Sequence, residues 1–146
     1  MALLAHDAAD RVQQLTALTE RLTGRLAEES AAFEARRPQD ATASLEETAR
    51  LANLYRHESA RIKADPGLIA AAPAAQRARL AEATRAFEAA LSRHARALEA
   101  AKTITEGIVQ AVAREVAAAR ASGAGYGASG RTVAGDAAAV ALNRRA

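Results

Sequence analysis

The sequence holds no cysteine and no tryptophan, and only three prolines, two tyrosines and two phenylalanines. Without cysteine there is no disulfide, no thiolate zinc or iron–sulfur site and no cysteine nucleophile, and a reducing compartment is compatible with the chain. Nowhere do ~18 consecutive apolar residues occur, so no membrane span or insertion is expected. Residues 1–10 have neither a basic start nor a long apolar stretch, so no signal peptide is expected and the chain reads as cytoplasmic. Charge of one sign is missing too: 20 Lys and Arg face 17 Asp and Glu, for a net charge of +3. No positive stripe with interleaved aromatics appears, which argues against nucleic acid as a partner.

What is abundant is alanine. Of 146 residues, 44 are Ala and only 29 are larger apolar side chains, 14 of them Leu. The length fits one domain. Burying alanine gains little per residue while favouring helix, so this composition predicts long helices meeting along narrow seams rather than a globule with a deep apolar pocket. An enzyme is not expected.

The hydrophobic spacing divides the chain into three helices. From about Asp7 to Arg36, the residues Val12, Leu15, Leu18, Leu22, Leu26 and Phe33 recur at steps of three, four and seven, one face of a helix. Arg11, Arg25, Glu28 and Glu29 read as its solvated face. Pro38 ends it. Ser44-Leu45-Glu46-Glu47 reads as a capping box opening a second helix, from Ser44 to Ala64 and striped by Leu45, Leu51, Leu54, Tyr55 and Ile62, which Asp65-Pro66-Gly67 stops. The short link makes the pair an antiparallel hairpin.

From Pro73 to about Ala121 no proline and a single glycine, Gly107, intervene. At ~1.5 Å per residue this third helix is a rod of about 72 Å. A heptad-spaced seam from Leu80 takes in Leu80, Phe87, His94, Ala101, Ile108 and Glu115 and, four positions after each, Thr84, Leu91, Leu98, Thr105, Val112 and Ala119. Gly107 marks a point of bending or of a close neighbour. Ser122 opens a stretch with four glycines in nine residues, where the helix is expected to end. The expected architecture is therefore all-α: an antiparallel hairpin plus one long third helix, as a coiled coil or three-helix bundle over residues 1–121. A Gly/Ala-rich flexible tail over residues 122–146 holds a short potential helix around Val140 and Leu142.

Chemistry-bearing constellations are scarce. His6, His57 and His94 lie on three different segments with no i, i+4 pair, so no metal site is expected. His94, at a seam position, reads as a polar core residue or register marker. His57 and Glu58 are neighbours on a helix and are not expected to face each other. The glycines at 123, 125, 127 and 130 follow a helix instead of joining a strand to one, which is not a phosphate loop. No cofactor is expected. Tyr126, bracketed by glycines, has the character of an aromatic docking anchor on a tether.

The leucine-striped first helix, the run Leu51-Ala-Asn-Leu-Tyr-Arg-His-Glu, the run Glu99-Ala-Ala-Lys-Thr-Ile-Thr-Glu and the element Tyr126-Gly-Ala-Ser-Gly130 resemble FlgN-type flagellar type III export chaperones, most closely the divergent alphaproteobacterial, FlbY-like members. The likeness covers most of the chain, which departs from better-known members in its alanine content and in the extra Val133–Ala146 end. It implies a cytoplasmic, non-catalytic chaperone that keeps hook-associated proteins of the hook–filament junction unassembled and escorts them to the export gate. By the same likeness, client binding falls on Ile104, Ile108, Val112, Val116, Val140 and Leu142, and export-gate docking on Tyr126. The alternative is a structural coiled-coil adapter or homodimer whose seam is closed by a second copy.

Overall fold

A computed structural model describes residues 2–129, with side-chain surroundings through residue 123. It is all-α, with the elements α1 (Ala8–Glu34), α2 (Gln39–Thr42), α3 (Leu45–Ala64), α4 (Gly67–Ala70) and α5 (Ala74–Ser129), and no strand among the described residues. The hairpin and the long final helix expected from the spacing are all present. Two single-turn helices, α2 and α4, occupy the links. Packing divides the chain into two units, Met1–Ala101 and Lys102–Ala146, with the division falling inside α5.

Helix α1 begins where the Asp7 carboxylate accepts the Asp10 amide at 2.8 Å, the N-cap bond that satisfies one orphan donor of a helix start. It ends in a Schellman motif: Arg37 N–H donates to the Ala32 carbonyl at 2.8 Å and Arg36 N–H to that of Phe33 at 3.0 Å. Arg36 holds the left-handed position usually given to glycine, at φ 60°. Along α1, Val12, Leu15, Leu18, Leu22 and Leu26 are all buried and form the centre of the first unit. Burying each such side chain contributes roughly 1.5–3 kcal/mol.

In the first unit, α3 runs antiparallel to α1. Arg11 near the start of α1 meets Glu58 late in α3, while Glu29 near the end of α1 meets Thr48 early in α3. The first part of α5 runs parallel to α1. Arg79 pairs with Glu20, and two heptads later Arg93 pairs with Glu34, each pair separated by the same 59 positions. Tyr55 and Phe87 join α3 to α5, with ring centroids 4.8 Å apart.

Four local expectations are corrected. The Ser44 capping box does not form: Ser44 is itself near-helical, and its hydroxyl lies 3.0 Å from both the Glu29 carboxylate and the Ala41 carbonyl. Glu47 is drawn instead to Arg21 and Arg25 on α1. Second, Arg11 and Glu29 are buried rather than solvated. Third, the seam of α5 departs from the expected one after Thr84. Leu80, Ala83, Thr84, Phe87, Ala90, His94 and Ala97 are buried or half-buried, whereas Leu91 and Leu98, expected in the seam, are 47% and 43% exposed. Fourth, α5 continues past Ala121 through Gly123, Gly125 and Gly127 to Ser129. The extension prolongs an existing helix and so carries no nucleation cost, which is the larger barrier to a short isolated helix.

Candidate functional site

Among the described residues of the second unit, the large apolar side chains left at the surface stand together on α5. Ile104, Ile108, Val112 and Val116 follow one another at steps of four, with Val109 beside them, and every one is exposed, from 41% at Ile104 to 61% at Val109. Residues four apart lie on one face of a helix, so these five make a continuous apolar ridge about three turns long. Lys102, Glu106, Arg114, Glu115 and Arg120 share this stretch and are also exposed. Contiguous apolar surface of this kind is uncommon and marks a contact surface. A β-carbon added at Gly107 would meet nothing within 4 Å, so no close neighbour requires glycine there among the described residues.

Four of the six expected client-binding residues, Ile104, Ile108, Val112 and Val116, are therefore brought into one ridge. Val109 belongs with them: it is one of the apolar positions of this stretch, though not among the expected client-binding residues. Val140 and Leu142 lie outside the described residues. Tyr126 falls within the backbone range of α5, and its side chain lies outside the described residues.

The polar interior of the first unit is a scaffold of two buried carboxylates. Glu29, 2% exposed, accepts hydrogen bonds from the hydroxyls of Thr48 at 2.6 Å and Ser44 at 3.0 Å, and its other oxygen lies 3.2 Å from His94 Nε2. The Phe33 ring meets His94 edge-on at 6.1 Å. The heptad frame of α1 runs through Val12, Leu15, Thr19, Leu22, Leu26, Glu29 and Phe33 at alternating steps of three and four. Continued through the polar residues, that frame places Thr19 and Glu29 inside; this is the signal by which the sequence could have located them.

Glu58, fully buried, accepts from the Arg11 guanidinium at 2.8 Å, from Arg61 at 3.0 Å and from the Leu3 amide at 3.1 Å. Burial pushes its carboxyl up, but the Leu3 amide, Arg61 and Arg11 together outweigh it and hold the group below its ordinary value. His57 Nδ1 comes within 3.6 Å of the same carboxylate despite the adjacency in sequence. At the surface, the bond from Arg93 lowers Glu34 below the usual carboxylate range and raises Arg93 in return. Among the described residues no three His, Asp or Glu side chains converge as a metal site, and no helix is long and apolar enough to cross a membrane.

Comparison with characterised proteins gives a full-length relative. The chain is 53% identical over 151 residues to the flagellar basal-body protein FlbY of Caulobacter vibrioides, the alignment covering 100% of both. The chain belongs to the FlbY family. It is thus a flagellar protein, and the sequence likeness to FlbY-like chains is accounted for. No family model and no solved structure matches it.

Proposed function

We propose that this FlbY-family chain is a non-catalytic, cytoplasmic export chaperone that covers the assembly surface of a flagellar hook-associated protein until transfer to the export gate. The observation that carries the reading is the exposed ridge of Ile104, Ile108, Val109, Val112 and Val116. An amphipathic terminal helix of the client lies against this ridge, a helix-on-helix contact anchored at i, i+4 and i+8. Val140 and Leu142 add apolar side chains to the same client, and Tyr126 is the anchor for the export gate. The likeness of Tyr126-Gly-Ala-Ser-Gly130 and of Glu99-Ala-Ala-Lys-Thr-Ile-Thr-Glu to FlgN-type chaperones supports these roles, as does the flagellar name of the full-length relative.

A second reading is favoured by that relative's name, which places it at the flagellar basal body. In it the chain is a structural coiled-coil component whose ridge is closed by a second copy. Size-exclusion chromatography with light scattering, with and without a co-expressed hook-associated protein, separates the two. The chaperone reading expects a one-to-one complex that withstands the column. A homodimer indifferent to that protein overturns it in favour of the structural component. Tyr126→Ala is expected to retain the complex while secretion of the client falls.

A further inference from the structure

Helix α3 turns toward water a face that carries cations and no acid. Between Glu47 and Asp65 the sequence has one acidic residue, Glu58. The fold draws that carboxylate fully inside, to Arg11, Arg61 and the Leu3 amide. Arg50, Arg56, His57 and Lys63 are left exposed on the outside. Arg50 comes no closer than 4.0 Å to the Glu46 carboxylate, and Arg56 bonds the neutral Asn53 side chain at 2.6 Å. Among the described residues no carboxylate pairs with Arg56 or Lys63. Elsewhere in the first unit the exposed cations are answered: Arg37, Arg79 and Arg93 each meet a carboxylate.

The four cations form two rows, Arg50 with His57 and Arg56 with Lys63, and both rows have the same seven-residue spacing. On a helix that is two turns, about 10 Å along one face. Arg50, Asn53, Leu54 and His57 line an open cavity of about 340 Å³. A guanidinium, an amide and an imidazole together are donors that seat a carboxylate. Ala49 and Ala60, exposed between the rows, leave room for a chain to come close. A second helix with carboxylates two turns apart matches this pattern. The face has no large exposed apolar side chain to enter a lipid surface, and Tyr55 is turned inward onto Phe87, so it has no aromatic platform for a nucleic-acid base.

We propose that the outward face of α3 is a docking surface for an acidic helical segment of a partner protein, held by Arg50, Arg56, His57 and Lys63. A single exposed ion pair adds little, so the surface works through several contacts at once and through steering of the encounter. Its binding is therefore strong at low salt and weak at high salt. The proposal is independent of the client reading, which concerns the second unit.

The test uses the full chain and a labelled, alanine-rich helical peptide of about 20 residues, with glutamates in two rows at heptad spacing. Fluorescence anisotropy is read at about 20 mM and about 150 mM salt, beside a peptide of the same composition with the glutamates scrambled. The wild type is expected to bind the spaced peptide at least about fivefold more tightly than the scrambled one at low salt. Arg56→Glu with Lys63→Glu is expected to abolish that binding. Arg85→Glu with Arg96→Glu, the same change of net charge at exposed positions of α5, is expected to retain it. Equal affinity for the two peptides, or equal loss in the two variants, reports net charge alone and overturns the proposal. So does absence of binding, or tighter binding of duplex DNA or of phosphatidylglycerol vesicles than of the spaced peptide.

Discussion

His94 on α5 and Glu29 on α1 meet at 3.2 Å between Nε2 and Oε2, joining helices through residues 65 positions apart. The same carboxylate receives the Thr48 hydroxyl of α3 at 2.6 Å, so one buried side chain touches all three long helices of the first unit. A buried polar group at a heptad core position specifies register more than it adds stability. Glu29 fixes how the antiparallel α3 and the parallel α5 align on α1.

Glu29→Ala leaves the Thr48 hydroxyl and His94 without their acceptor and opens a cavity. The expected loss is roughly 2–4 kcal/mol, read by urea unfolding followed at 222 nm. Glu29→Gln keeps an acceptor and is expected to lose less than half of that. Equal losses for the two variants would mean that shape, and not the hydrogen bonds, is what the site requires.

The buried Glu58 carboxylate, held ionised by the Leu3 amide, Arg61 and Arg11, predicts acid sensitivity. A carboxyl held below its unfolded value of 4.5 contributes stability that is fully present above that value. The contribution is lost as pH falls through the lower folded value. The melting temperature is therefore expected to fall on acidification below about pH 4.5, with Glu58→Gln flattening part of that slope. At neutral pH, Glu58→Ala leaves the buried Arg11 charge unpaired and is expected to lose about 3–5 kcal/mol.

Arg36 holds its left-handed conformation at the end of α1 against the steric preference of its β-carbon. Arg36→Gly removes that strain in the Schellman turn and is expected to stabilise the chain by about 0.5–1 kcal/mol. Chemical denaturation of the variant checks this. A loss of stability would show that the arginine side chain does more for the link to Pro38 than its backbone costs.

Much of the fold could be read from residue spacing. Val12, Leu15, Leu22 and Leu26 announce α1, Pro38 marks the turn after it and Asp65-Pro66-Gly67 the end of α3, because apolar periodicity and backbone restriction act locally. What could not be read depends on partners distant in sequence. Glu29 looks solvated until Ser44, Thr48 and His94 are brought to it. The Ser44-x-x-Glu47 box is persuasive alone, but Glu29 takes the hydroxyl and two arginines take the carboxylate. On α5 leucine outranks alanine in any hydrophobic count, which points to Leu91 and Leu98, whereas in the structure Ala90 and Ala97 are the more buried and the pairs to Glu20 and Glu34 flank them. The ridge from Ile104 to Val116 was legible as apolar positions; its exposure required the structure.

The central claim is that this ridge is where the flagellar client binds. Isothermal titration of the intact chain with a hook-associated protein, for wild type and for Ile108→Asp with Val112→Asp, tests it most directly. Two buried charges at the centre of a helix contact are expected to weaken binding by well over about tenfold, with helicity unchanged and a stoichiometry of one to one in wild type. Absence of binding by the wild type, or equal affinity of the double variant, would contradict the claim.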